Sequence, residues 1–447
     1  MKKLSLLLYI FSLTSVILSQ TRGFPKDNTG QLSGGMGMNW INGELFYSFY
    51  FTPEVSFSNF GVGLDFRFDV TSKGSIRTEN FNEASDYLSI IRYVRYGLKN
   101  EPVFVKLGAL DYYTLGHGSI MHSYNNSPSF DSRKIGMVLD IDFGLFGFES
   151  IYSKFAEAGV VGARGYLRPL KLLAASDLPI IGDLEVGMTY AADFNEKAGI
   201  VSAVFDQSQQ KLNVLEDKGS INILGFDLGL PIIQTSMFKL NLYADYAKIF
   251  GFGSGVALGA AANINPLGLV IGSVKLERRF NGKNYLPSYF NSLYEIERFK
   301  VDTSAGAFFS KAQRLESPTD IGNGYFGELG LNVLGLFNIV GNYQRLDKYP
   351  TSGILHLETE IAPENFSFLA RAGYDKINII DEKDLFKLDD RSLLFFELGY
   401  KPYPFLIVSM IYNWTFTPVR DKNDNIVDFE PQKRIEPHVY FVYPFTL

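Results

Sequence analysis

The sequence predicts an all-β chain folded as one transmembrane antiparallel β-barrel of about 20 strands, with 16–20 as the range. Three observations carry this. Apolar and polar residues alternate along almost the whole chain. The alternating segments run roughly 9–12 residues, the length a tilted strand needs to cross a bilayer. Tyrosine and phenylalanine gather at the segment ends, as in YKPYPF (Tyr400 to Phe405) and YFVYPF (Tyr440 to Phe445), where interfacial girdles belong.

The N-terminus sets the compartment. Met1-Lys2-Lys3 is a short basic region, and Leu4 to Leu18 is an apolar run followed by Ser19-Gln20. This pattern predicts a secretory signal peptide over 1–19, with the barrel occupying 20–447. An uncleaved anchor is the alternative, although the run is short for a spanning helix. The 447-residue chain has no cysteine. That excludes a lipid-anchored lipoprotein and leaves the fold without disulfides. Lys and Arg number 42 against 48 Asp and Glu, and removing Lys2 and Lys3 deepens the acidic excess. Nucleic acid is excluded as a partner, because binding its phosphates needs a basic face. After residue 19 no apolar run is long enough for a spanning helix, so membrane crossing requires a closed barrel.

Strand by strand, the alternation is explicit. In FGVGLDFRFDV, Phe60, Val62, Leu64, Phe66, Phe68 and Val70 share one face, and Gly61, Gly63, Asp65, Arg67 and Asp69 the other. A strand separates these sets and a helix does not. MFKLNLYADYA opposes Phe238, Leu240, Leu242, Ala244 and Tyr246 to Lys239, Asn241, Tyr243 and Asp245. ILHLETEI puts His356, Glu358 and Glu360 on its polar side; FSFLARAGYD puts Arg371 and Asp375 there. LFFELGYK sets Leu394, Phe396, Leu398 and Tyr400 against Glu397 and Lys401. A soluble sandwich alternates too. Here the pattern persists from about residue 35 to the end with no helical domain between.

Connections follow two lengths. Short turns are expected at 142–147, 264–269, 333–337, 362–365 and 401–405. Longer polar connections are expected at 111–132, 194–218, 281–320, 376–390 and 418–433. Short periplasmic turns alternating with long external loops are the asymmetry of outer-membrane barrels.

These strands, the signal peptide and the aromatic terminal strand resemble porin-like outer-membrane proteins of Gram-negative-type bacteria. The resemblance spans nearly the whole mature chain and rests on pattern rather than on a diagnostic motif. It implies integral outer-membrane localisation, lipid as a partner, and handling by the barrel assembly machinery. Such barrels often end on an aromatic residue; here Phe445 is followed by Thr446 and Leu447.

A barrel of 16 or more strands encloses a lumen. The expected lining mixes both signs: Arg67, Lys239, Lys275, Arg279 and Arg371 with Asp65, Asp69, Asp140, Asp142, Asp245, Glu277, Glu358 and Glu397, joined by His356. Such a lining suits a porin or selective channel for small polar or amphipathic solutes. The alternatives are a structural or surface-interaction barrel whose lumen is closed by paired side chains and, as a minor reading, a barrel-borne lipid hydrolase. Two long loops bear on the choice. Segment 111–132 holds LGHGSIMHSYNN (Leu115 to Asn126), with His117 and His122 as constriction candidates if the loop folds inward. Segment 281–320 holds NYLPSYFNSLYEIERF (Asn284 to Phe299), whose aromatic faces suit sugar or amphipathic ligands.

His117 with Ser119, or His122 with Ser123 and a neighbouring asparagine, has the residue types of nucleophilic catalysis. No nucleophile-elbow pattern accompanies them, and no catalytic site is expected. Four histidines without cysteine give no zinc spacing. Asp421 to Glu430 begins like a calcium loop, but Ile426 and Gln432 stand where glycine and glutamate are required. Neither a metal nor a cofactor is expected. GFGSGVALG (Gly251 to Gly259) reads as a small-residue barrel strand.

Overall fold

The computed structural model describes residues 24–447 apart from 26, 79–80, 82–86, 100, 130, 156–158, 174–177, 179, 207, 209–210, 267–268, 303–306, 318–319, 362–365 and 421–425. The expected signal peptide and the short turn at 362–365 lie outside the described residues.

The first strands are β1 (Thr29–Ile41), β2 (Glu44–Phe51), β3 (Glu54–Phe57), β4 (Phe60–Leu64), β5 (Phe66–Thr71), β6 (Ile91–Tyr96) and β7 (Val103–Gly108). Next come β8 (Gly136–Asp142), β9 (Phe146–Tyr152), β10 (Val160–Leu167), β11 (Glu185–Asp193), β12 (Ile200–Asp206), β13 (Lys211–Asp217) and β14 (Ile221–Gln234). Then follow β15 (Phe238–Ile249), β16 (Ser254–Ile264), β17 (Val270–Asn281), β18 (Phe299–Asp302), β19 (Ala307–Ser310) and β20 (Gly324–Val333). The last are β21 (Phe337–Leu346), β22 (Gly353–Ile361), β23 (Phe368–Ile379), β24 (Ser392–Tyr403), β25 (Leu406–Arg420) and β26 (Ile426–Thr446).

One sheet contains 22 of these strands. Within it, β2 continues into β3 and β4 into β5, so the wall has 20 staves. Pro53 marks the first interruption, because a residue without an N–H cannot donate to the ladder. Neighbouring staves pair antiparallel throughout. The barrel closes where β1 pairs with β26, from Thr29 opposite Thr446 to Ile41 opposite Arg434. The chain is therefore a closed 20-strand antiparallel barrel, in agreement with the expected fold. Closure leaves no sheet edge to be satisfied by lipid. Two further hairpins, β12–β13 and β18–β19, stand apart from the wall sheet.

The alternation sorts side chains as expected. Phe60, Val62 and Phe68 face outward and are exposed, as are Leu242, Tyr246, Leu276, Leu398, Tyr400 and Met410. Asp69, Asp245, Glu277, Arg279 and Glu397 face inward and are buried. Exposed aromatics gather at one end of the staves, with Phe143, Phe146, Phe366, Phe368, Tyr403, Phe405 and Tyr443 around the short turns. An apolar outer belt on a closed barrel is the surface that a bilayer solvates.

Inward burial changes along the axis. On β15 it is complete at Ile249 and Ala247, is still high at Asp245 and Tyr243, becomes partial at Asn241, and is lost at Lys239. β26 repeats this gradient, from buried Gln432, Arg434, Glu436 and His438 to exposed Pro444. The lumen is thus packed toward the long connections and opens toward the short turns.

The structure amends several expected boundaries. The first strand begins at Thr29 rather than near 35. Segment 418–433, expected as a loop, is largely strand: β25 runs to Arg420 and β26 starts at Ile426, with Pro418 opposite Phe429. Two prolines and a run of charge imitate a loop there, but long strands can project beyond the barrel rim. Strand pairing continues within 194–218 and 281–320 as the two separate hairpins. The connection lengths also depart from strict asymmetry. Residues 168–184 form a long connection at the short-turn end, whereas β1 and β2 join through the two-residue turn Asn42–Gly43 at the other. Both turn residues have positive φ, 52° and 93°, as a type I′ hairpin turn requires.

Candidate functional site

Both long segments fold into the lumen. The chain leaves β7 and crosses the barrel before returning to β8. Along this path Leu110, Tyr113, Leu115, Ile120, Met121 and Tyr124 form an apolar core with Tyr285, Tyr289, Phe290 and Tyr294 of the second segment. The two segments bind each other through their backbones. Ser288 N–H donates to Ser119 C=O (2.8 Å), Phe290 N–H to Ile120 C=O (3.1 Å), and His122 N–H to Phe290 C=O (3.0 Å). The two segments form a two-layer plug, whose apolar core extends onto wall residues such as Phe104, Val138, Ile151, Ile223 and Ile249.

The first segment meets the wall through both this apolar packing and polar bonds. Tyr113 Oη donates to Asp140, Ser119 Oγ donates to Asp245, and Lys275 Nζ donates to the His117 carbonyl. Gly116 N–H donates to Glu149 (2.8 Å) and Tyr112 Oη to Asp375 (2.8 Å). His122 Nε2 lies 3.2 Å from Glu328. Asp131 is the distal anchor. It receives Arg77 through two bonds (2.7 and 2.9 Å), Arg434 (2.7 Å), Gln432 (2.9 Å) and Thr417 (2.9 Å). Paired guanidinium groups hold its carboxyl well below the usual range, against the upward push of burial.

The second segment carries its own charge network. Glu295 receives Arg298 (2.9 Å), Tyr124 and Lys134. Glu297 receives Lys311 (2.6 Å), Arg314 and Asn291 (3.1 Å). Burial alone would raise both carboxyls, but the adjacent cations bring each to about 2. Arg298 also reaches Asp193 on β11 (2.6 Å), as does Tyr294 Oη (2.7 Å). Burial lowers the Lys311 ammonium to about 8, against the pull of Glu297.

The structure places the expected lining residues in distinct groups. His117, Asp245, Lys275, Glu277 and Arg279 come together where the first segment meets β14 to β17. There Glu277 accepts from Tyr243 (2.8 Å) and Arg279 (2.7 Å) and pairs with Lys275 (3.1 Å). His122 stands nearby between Glu328 and the edge of Phe326. Burial holds the His117 imidazole down at about 4, against the pull of Asp227, and also lowers His122, so both are neutral at pH 7. His356 bonds Asp375 (3.0 Å) under the Tyr112 ring, with Glu358 3.8 Å away. Arg371 pairs with Glu360 (2.9 Å) and Glu397 (3.5 Å). Across the lumen, Asp65 pairs with Arg133, and Arg67 bridges Glu436 (2.7 Å) and Asp69 (3.6 Å). Asp69 also accepts from Ser48. Asp140 is capped by Tyr113. Lys239 stands alone at the open end. Ser119 is bonded to Asp245, so its hydroxyl is not aimed at either histidine.

Several organising residues escaped the sequence reading. Arg164 on β10 holds Asp227 with two bonds (3.0 and 2.6 Å) and Glu185 (2.7 Å). Asp227 shares its strand phase with Gly225 and Gly229, so the alternation that exposed the other acids could have found it. Opposite it in register is Gly187, where a Cβ would meet the Asp227 carboxylate at 2.3 Å. Asp131 lies in a loop and Glu295 and Glu297 in a one-turn helix, Tyr294–Glu297, and none of them carries such a signal.

No family model matches the chain, and no curated protein does. Among solved structures, it is similar to Wzi of Escherichia coli, an outer-membrane protein described as a carbohydrate-binding β-barrel involved in group 1 capsule assembly. Identity is 12%, over 94% of this chain and 85% of that one, with a TM-score of 0.36. OccK5 (OpdH) of Pseudomonas aeruginosa matches at 12% identity over 95% and 100%, TM-score 0.33. A mutant of the ferric enterobactin receptor PfeA of Pseudomonas aeruginosa matches at 9% over 95% and 82%, TM-score 0.35. At such identities the architecture rests on this chain's own strand pairing, which makes it a closed 20-strand antiparallel β-barrel.

Proposed function

We propose that this barrel is a selective channel for small polar or amphipathic solutes, held closed by its two inward segments in the state described. The observation that carries this reading is the polar share of the plug's contact with the wall. Beside its apolar packing, the first segment meets the wall through the hydroxyls of Tyr112, Tyr113 and Ser119 on buried carboxylates, and through Lys275 on the His117 carbonyl. A permanent filler would be better served by an apolar seal, since buried ionic contacts add little net stability over well-packed hydrophobes. Polar contacts of this kind exchange for water or a polar solute, so a solute entering the seam can loosen the plug from the wall at these points. The open half of the lumen, with Lys239, Arg371 and Glu360, is a charged vestibule on the far side of the closure.

The test is planar-bilayer conductance. Tyr113 and Tyr124 form a bridge across the hairpin, exchanging both backbone bonds (2.9 and 2.8 Å). Excising 114–123 behind a glycine linker keeps those ends together. Rare, brief openings are expected of the intact protein and steady conductance of the excised one. Flat traces from both, with the barrel still folded, would sink the channel reading.

A second reading, a closed barrel acting through its loops, is favoured by a separate observation. Lumen side chains over the packed half are almost wholly buried, while the β12–β13 hairpin displays exposed Val204, Val214 and Leu215. Flat traces would leave this reading standing.

A further inference from the structure

Asp227 on β14 and Asp245 on β15 stand directly opposite each other in register, both buried on the lumen side. Like charges placed opposite across a strand pair repel. Arg164 answers only one of them, through its two bonds to Asp227. Asp245 is 6% exposed and receives only the Ser119 hydroxyl, on Oδ2; its Oδ1 is buried without a hydrogen-bond partner among the described residues. Above this pair the first inward segment delivers His117. Its ring is stacked on Tyr243 (centroids 4.1 Å apart, planes at 9°), and its Nε2 also lacks a hydrogen-bond partner, 3.8 Å from Asp227 Oδ1. The three ligating atoms lie within 4.8 Å of one another.

We infer that His117, Asp227 and Asp245 form a binding site for a divalent transition-metal cation at the seam between the plug and the wall. One imidazole nitrogen and two carboxylates are the ligand set of an open zinc-type centre, with a further position left for water. The imidazole argues against calcium and magnesium, which take oxygen ligands. The ligand atoms need to draw in by about 1 Å to surround a metal at 2.0–2.2 Å, within reach of a side-chain adjustment at His117. Asp227 joins without releasing Arg164, because each carboxylate oxygen has a second lone pair. The bound cation would satisfy both orphaned atoms and relieve the facing carboxylates. Sequence spacing could not show this set, which is drawn from two strands and a loop. The inference stands independently of whether the barrel conducts.

The test is calorimetric titration of zinc chloride into the chelator-treated, detergent-solubilised full chain. One saturable equivalent is expected. His117→Ala and Asp245→Asn should each weaken binding at least tenfold, while His122→Ala binds as the parent does. Heat-modifiable gel mobility checks that each variant is folded. If Asp245→Asn does not fold, the loop variant His117→Ala decides alone. Absence of saturable binding by the parent, or unchanged binding by His117→Ala, overturns the site.

Discussion

The two inward segments fill one lumen by different means. The first, 109–135, is tied to the wall by polar bonds along its length, from Tyr112 on Asp375 to Asp131 under Arg77 and Arg434. The second, around Asn284 to Arg298, places its aromatic residues on the first and collects its charges around Glu295 and Glu297. The second also reaches the wall, through Tyr294 and Arg298 on Asp193 and through Leu293 and Ile296 packed with Ile377, Phe416 and Phe429. Polar bonding to the wall is therefore divided between the segments, spread along the first and concentrated in one charge network in the second.

The strongest break of that division is at Asp131. Replacing it with alanine removes the buried carboxylate that Arg77 and Arg434 share, and should cost about 3–5 kcal/mol. Urea titration of the detergent-solubilised barrel would show it as a lowered midpoint; an unchanged midpoint would mean that the wall does not need this anchor. Next comes Phe290→Ala. It opens a cavity between the layers, at about 3 kcal/mol, and should loosen the second segment while sparing the wall. Hydrogen exchange would show faster amides in 284–298 and unaltered strands.

Acid comes third. The Glu295 and Glu297 carboxyls sit near 2, below the ordinary 4.5. A depressed carboxyl contributes stability that is fully present above the ordinary value and fades as pH falls toward the folded one. Protection of 284–298 should hold from pH 7 to about 5 and decline between about 4.5 and 2. A flat profile over that window would remove the charge network from the account. The smallest effect belongs to the vestibule. Lys239→Glu, exposed at the open end, should change stability by less than about 0.5 kcal/mol, yet shift the excised barrel's ion selectivity toward cations in reversal-potential measurements.

Most of the wall was legible in the sequence because a period of two is a local property. Phe60 to Val70 and Phe238 to Tyr246 state their faces without reference to any other strand. The inward fold of LGHGSIMHSYNN was not legible. Its wall partners are scattered from Glu149 to Glu328, and nothing local distinguishes a loop that enters the lumen from one that caps it. Asp227 lay between these cases, visible by phase and hidden among glycines. The misread 418–433 shows the converse, since Pro418 and Pro431 sit within strands that outrun the barrel rim.

The seam between β1 and β26 joins the first described strand to the last, and Asp131 binds Arg434 beside it. Such long-separation pairings impose a timetable. The first inward segment is synthesised early, but Arg434, which binds its anchor Asp131, arrives only with the final strand. Sealing the cylinder and seating its stopper thus fall at the same late step, and high contact order makes that step slow. Until then the aromatic residues of both segments have no enclosure, which leaves a period of exposure that a chaperone or an insertion machine would have to cover.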